Sequence, residues 1–496
     1  FSYTRLPETA TVAGYTASDL AESFTIRSTR TYEPNRNLIA AVSNVWGAAA
    51  VSSFAYTNDA LGRRTLRVDT AQGLPVPNVF AYNNRSEVTN AFMGDAHYSY
   101  EFDEIGNRER AVADAELTVY SANALNQYAS VKVAGQGVPV AYDLDGNMLT
   151  NGVWAYTWDA ENRMSSACSN NALLVSNAYD YLNRRVRKVV YAWNSQSTAY
   201  SLQSTVSYVW DGYNIAAEIT VDHVSPATNI SYYTWGLDLS GTLQGAGGVG
   251  GLLGDTRISD TESNTFYSLF DGNGNVTEYV DDTGAVKAHY EYSVTGEEVY
   301  SSGSMDDDFT HRFSTKPFDQ ETGLVQFELR PYVPLFNRFP SRDPIGELGG
   351  INLYTFVKND SINQYDMLGQ FNIPNSWLVR YTDMLNQAQY AKIWALLLAE
   401  VRGRFSNGGD PWLPSFLALY FYGDGSKTVI LTKSDVSQIE ETNHSLWFYS
   451  EEFKTHSEKK AAFMGHKVIN ETQSNRRFEV VSAGVGNDTL GHFDVY

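Results

Sequence analysis

The sequence predicts a mainly β protein: a long antiparallel sheet of repeated hairpins, followed by a small α+β domain. Three observations predict it. The composition is rich in turn formers and in residues that suit a pleated surface, with 38 Gly and 33 Tyr and with aromatics at 14% of 496 residues. A short acidic turn motif recurs along the first two-thirds of the chain. After residue 370 the apolar spacing changes from that of strands to that of a helix.

The turn motif is an aromatic residue, an Asp, two or three residues, then Gly-Asn or Asn-Arg. Copies are "YEFDEIGNRE" with Asp103, "VAYDLDGNML" with Asp143, "YTWDAENRMS" with Asp159 and "NAYDYLNRRV" with Asp180. "YVWDGYNIAA" with Asp211 and "SLFDGNGNVT" with Asp271 continue the series, and "YTNDALGRRT" with Asp59 is a weaker copy. The spacing varies, so the repeat is degenerate. Asp accepts from backbone N–H groups two residues on and opens the turn, and Gly or Asn supplies the positive φ that closes it. Tyr98, Tyr100 and Phe102 alternate along the preceding strand, so stacked copies line their aromatics along one face. These Asp residues are read as turn formers. An ordinary β-sandwich with Asp-Gly turns is the alternative.

A net charge of −21 excludes a nucleic-acid binder that works by phosphate neutralisation, and fits a large β protein kept in solution. The one cysteine, Cys168, excludes an internal disulfide and a thiolate metal site. No apolar run reaches the ~18 residues that cross a bilayer. The run Ile393–Val401 is among the longest. The chain begins at Phe1, not Met, which points to a piece of a longer protein with further repeats upstream.

The stretch "RDPIGELGGINLYTFVKNDSINQYDMLG" holds two acidic turns, Asp343 before Pro344 and Asp366 before Gly369. From the residues alone both read as turn starters. Together with the repeats and with "FSTKPFDQETGL" upstream, however, this stretch resembles the YD-repeat proteins of the Rhs family and their repeat-associated core. The likeness covers roughly residues 1–370. It implies a β-ribbon spiralling into a shell (1–312), a core that closes it (313–370) and a variable C-terminal domain (371–496) held as cargo.

The resemblance further implies an aspartyl-type self-protease. Asp343 and Asp366 would share one proton, Arg330 would hold a carboxylate or polarise the carbonyl, and the cut would fall between Gln370 and Phe371. The family pattern has Leu where Gln370 stands, Pro at Met367, and commonly Asp at Val333. A Gln side chain costs free energy to bury without partners.

The resemblance implies a secreted or cell-surface bacterial protein with its own C-terminal domain as cargo. It also implies a delivery apparatus and an immunity protein as partners, with no cofactor and no metal. The alternative is an adhesive or structural surface protein whose repeats bind glycans or proteins, with an inactive core.

Beyond Phe371, Leu378, Tyr381, Leu385, Tyr390, Ile393, Trp394, Leu397, Leu398 and Val401 fall near helical spacing, with Ser376 to cap and Gly403 to end the helix. "LALYFYGDGSKTVILT" predicts a hairpin around Gly423–Gly425, and "RRFEVVSAGVGNDTLGHFDVY" two more strands. His444, His456, His466 and His492 lack metal-ligand spacing, and Glu400 and Arg402 sit at the helix end, so no catalytic group is assigned here.

Overall fold

The structure, a computed structural model, describes residues 1–370 apart from 8–10, 19–23, 35, 37, 72, 170–171 and 260–261. Beyond them it describes the strands 372–374, 416–422, 429–432, 468–470, 477–483, 485–486 and 489–490. The chain divides into two units, Phe1–Val379 and Arg380–Tyr496.

Most described residues up to Ser302 lie in an antiparallel strand or the turn that joins two. Thirteen strands, from Ser2–Arg5 to Gln136–Val138, form one sheet, and fourteen, from Ala141–Tyr142 to Glu298–Ser302, form another. In both sheets the spatial order equals the chain order. Among the described residues there is no α-helix, only short 3₁₀ turns.

One device builds most of the hairpins. Asp103 Oδ1 accepts the amides of Ile105 and Asn107 at 3.0 and 2.8 Å, and the Asp103 carbonyl accepts the Gly106 amide at 3.2 Å. Gly106, three residues after the Asp, has φ +87°. Asp59, Asp159, Asp180 and Asp271 make the same pair of Oδ1 contacts, and Asp143 makes the one to Asn147.

The second oxygen, Oδ2, is taken by the side chain four residues on: Arg63, Asn107, Asn147, Arg163, Arg184 or Asn275. One Asp carboxylate thereby satisfies both the turn's amides and the next strand's first polar side chain.

Two corrections to the motif reading follow. Asp211 does not build this turn; it pairs directly with Asn214 across a two-residue connection. Asn83, Asn123, Asp281 and Ser293 do build it, through a side-chain oxygen that accepts the amides two and four residues on.

The two large sheets and the segment after residue 303 meet through buried polar contacts. Tyr15 Oη donates to the Ser268 carbonyl at 3.0 Å, Asn44 Nδ2 to the Phe270 carbonyl at 3.1 Å, and Ser52 Oγ to Glu278 at 2.7 Å. Asp319 pairs with Arg185 at 2.6 Å and Lys188 at 3.3 Å. The largest apolar cluster joins Tyr279, Tyr290 and Tyr292 to Phe309, Phe313, Phe327, Tyr332, Phe339 and Phe356.

The segment 303–370 is thus packed into the same core as the strands before it. Short strands 318–319, 324–326 and 331–332 give it a three-stranded sheet, and Gln364–Asp366 pairs with Asn372–Pro374.

In the second unit, 416–422 and 429–432 pair as the expected hairpin, and 416–422 also pairs with 477–483. The hairpin's turn, the expected helix after Ser376 and the four C-terminal histidines lie outside the described residues.

Candidate functional site

Asp366 opens the last turn of the first unit. Its Oδ1 accepts the amides of Leu368, Gly369 and Gln370 at 3.2, 2.6 and 2.9 Å, which is the repeat turn with one further donor. Asp343 opens another: its Oδ1 accepts the Ile345 amide at 3.0 Å and its carbonyl the Gly346 amide at 2.9 Å. Both residues are therefore turn formers, as read from the residues alone. What distinguishes them from the repeat turns is the second oxygen. Asp343 Oδ2 receives Arg330 Nη2 at 2.7 Å, and Asp366 Oδ2 has no hydrogen-bond partner among the described residues.

Arg330 brings the two turns together. Its Nε donates to the Gly369 carbonyl at 2.5 Å, inside the Asp366 turn, and its Nη1 to the Leu353 carbonyl at 3.1 Å. Its guanidinium lies 3.7 Å from the centre of the Phe339 ring. A planar cation held by three directed bonds and a ring face has one available orientation.

Asp366 also pairs in register with Asn372, so the bond after Gln370 lies within the hairpin that joins 364–366 to 372–374. Phe371 itself is outside the described residues. The Gln370 carbonyl oxygen and Asp343 Oδ2 both border Gly349: the point where a Cβ on Gly349 would stand is 2.6 Å from Asp343 Oδ2 and 3.0 Å from that oxygen.

Burial sets the electrostatics. Asp366 is 1% exposed and the Asp343 side chain 9%. Desolvation pushes the Asp343 carboxyl up to about 6 against the pull of Arg330 and the Ile345 amide, and the Asp366 charge adds to the rise. Asp366 is likewise raised, chiefly by burial, with Arg330 the strongest opposing influence. Burial lowers Arg330 while both carboxylates pull it back, and a guanidinium stays cationic throughout. Two buried acids around one cation titrate as a coupled pair, both raised above the ordinary carboxylate range.

The Gln370 side chain is itself buried at 8% exposure, and its Oε1 has no partner among the described residues. That is the cost expected for Gln at this position.

Several residues of this region were given no role from sequence, among them Lys316 within "FSTKPFDQETGL". Lys316, 2% exposed, donates to the carbonyls of Gly247 and Met367 at 2.7 and 3.1 Å and pairs with Glu328 at 2.7 Å. The glycine-rich loop 236–251 presses on the Asp366 turn so closely that a Cβ on Gly247 would overlap the Met367 carbonyl. The loop's run of glycines is the only local signal of that approach. The Lys316 contacts span 51 and 69 residues and leave no trace in local sequence.

Comparison with known proteins agrees with this architecture. Residues 47–216 match the family described as the teneurin YD-shell. The tRNA3(Ser)-specific nuclease WapA of Bacillus spizizenii is 27% identical over 292 residues, which is 56% of this chain and 11% of WapA. The double-stranded DNA deaminase toxin A of Burkholderia cenocepacia is 27% identical over 239 residues, 45% of this chain and 16% of the toxin. The chain therefore spans only about a tenth to a sixth of these relatives.

Among solved structures, the TcdB2-TccC3-Cdc42 crystal structure superimposes with a TM-score of 0.58 at 15% identity, over 73% of this chain and 19% of that one. The fold is that of the YD shell, and residues 47–216 carry the sequence pattern of the teneurin YD-shell family.

Proposed function

We propose that this chain is the closing part of a toxin-delivery shell whose core cuts itself after Gln370. The toxin relatives support the first half of this reading. One observation supports the second: Arg330 ties the Asp343 and Asp366 turns together, with the Gln370 carbonyl and Asp343 both bordering Gly349.

In the reaction, the ionised member of the pair takes a proton from water as its oxygen attacks the Gln370 carbonyl carbon. The neutral member protonates the carbonyl oxygen. Collapse of the tetrahedral species breaks the C–N bond, and the nitrogen of Phe371 leaves with a proton. Arg330 keeps the carboxylates in register and restrains the turn through the Gly369 carbonyl.

The segment from Phe371 onward is the cargo, with a delivery apparatus and an immunity protein as partners, in a secreted or cell-surface setting. An adhesive role would call for exposed aromatic platforms. Among the described residues Tyr181, Tyr232 and Tyr300 are exposed, which suits an adhesive role, and no tryptophan is; the toxin relatives favour the delivery reading.

Intact-mass analysis of the full chain beside Asp343→Asn tests self-cleavage. A fragment beginning at Phe371 in the parent and absent in the variant is expected. Full-length protein in both would overturn the cleavage reading. Protection of the C-terminal segment from added protease, lost on denaturation, tests enclosure.

A further inference from the structure

We propose that Lys316 and Glu328 are positioning residues of the cleavage site: this buried pair clamps the Asp366 turn and fixes how many protons the two aspartates share. The inference rests on reading Asp343 and Asp366 as an acid pair.

The clamp is geometric. Lys316 Nζ reaches the carbonyl of Met367, the residue after Asp366, and the carbonyl of Gly247 in the glycine-rich loop. Its third contact is Glu328 Oε1 at 2.7 Å. The Leu329 amide, next along, donates to the Leu368 carbonyl at 3.1 Å, so residues 328–330 run against the turn. Glu328 is not a simple counter-ion, because its Oε2 is buried without a partner. Glu328 lines a cavity of about 20 Å³, room for one water-sized donor.

Charge counting gives the consequence. The groups that interact with the pair are Arg330, Lys316 and Glu328. Three carboxylates thus face two cations in a buried site. Fully ionised, the set carries one uncompensated negative charge, and removing that charge from low dielectric requires one bound proton.

Among the described residues, neighbouring elements do not supply another cation. His311, facing Lys316, is held neutral by burial, and Arg312 is taken by Glu298. Arg163 and Arg185, across the cavity, pair with Asp159 and Asp319. Asp238 on the glycine-rich loop is bonded to its own loop through Ser240, Ala246 and Gly248, and Arg342 and Glu347 are exposed. Burial raises Glu328 as it raises both aspartates, so all three compete for the same proton.

The test uses the full chain with its aspartates ¹³C-labelled at the carboxyl, titrated by NMR from pH 4 to 9. The pair's signals are assigned by their loss in Asp343→Asn and Asp366→Asn. Glu328→Gln balances the site, so the pair's upper midpoint is expected to fall by about one pH unit. Glu328→Asp, which keeps the charge, restores the midpoint, and Lys316→Met raises it.

Midpoints within 0.3 unit of the parent in Glu328→Gln would overturn the proposal, as would equal shifts in Glu328→Gln and Glu328→Asp. Where the parent cuts, the alkaline limb of its pH profile moves with the midpoint. A chain that stays uncut at every pH yet shows the midpoint shifts refutes the cleavage reading and leaves standing the control of the acid pair's proton by Lys316 and Glu328.

Discussion

Alanine at Gly349 perturbs the cleavage geometry without disturbing the backbone. Gly349 has φ −78° and ψ −22°, a conformation any L-residue adopts, so the substitution carries no strain and restricts the unfolded chain slightly, by about 0.4–1 kcal/mol. The added methyl, however, would stand 2.6 Å from Asp343 Oδ2 and 3.0 Å from the Gln370 carbonyl oxygen.

Reaching ordinary contact at 3.4 Å moves the carboxylate by roughly 0.8 Å, and Arg330 holds that carboxylate in place. Misplacement of a reacting group by about 1 Å costs on the order of 10²-fold in rate. The expected result is therefore cleavage slowed about 100-fold in a chain that still folds. The assay is the fraction of fragment against time by intact mass, with a urea unfolding curve beside it, in the parent and in a Gln370→Leu background. Cleavage within threefold of the parent, in a folded variant, would refute the placement of Asp343 against the scissile carbonyl.

Gln370→Leu, made in the Asp343→Asn background to keep the chain whole, is expected to raise stability by about 1–2 kcal/mol, because it removes a buried unpaired oxygen. A urea midpoint that does not rise contradicts this. Asp319→Ala leaves Arg185 and Lys188 buried without their carboxylate and should cost about 3–5 kcal/mol by the same measurement.

His289, half-enclosed by Glu278 and Glu291, is raised to about 9 although burial alone would lower it. Its proton stabilises the fold fully below about pH 6.5, and that contribution, ~3 kcal/mol at most, is lost as pH rises through 9. Stability measured from pH 7 to 10 should fall in the parent and stay flatter in His289→Gln.

The hairpins were legible because the Asp turn is local: carboxylate, amides and the positive-φ residue all lie within five positions. The copies at Asn83 and Asn123 were missed because an amide oxygen accepts as a carboxylate does, although positions 83, 103, 123 and 143 keep a 20-residue interval. Asp211 misled for the opposite reason, since it has the motif's aromatic and Asp but a two-residue connection. The Asp343 and Asp366 turns could be read from sequence, and Arg330 was placed by family likeness. The roles of Lys316, Glu328 and Gly349 could not be read, because they arise only when segments 12 to 69 residues apart are packed together.

The strand order also has a consequence in time. Each strand of the two large sheets pairs only with its chain neighbours, so hairpins can add in sequence, without long loop closure, as a chain is synthesised. The contacts that finish the fold are of the other kind. Asn363 reaches the Arg64 amide across 299 positions, Tyr354 the Gly146 carbonyl across 208, and Lys316 the Asp366 turn only once both it and the glycine-rich loop are seated. The acid pair therefore comes into being at the last step of assembly. On the proposed self-cleavage, such a chain would carry its own clock: the bond after Gln370 would be cut only once the sheets before it are complete.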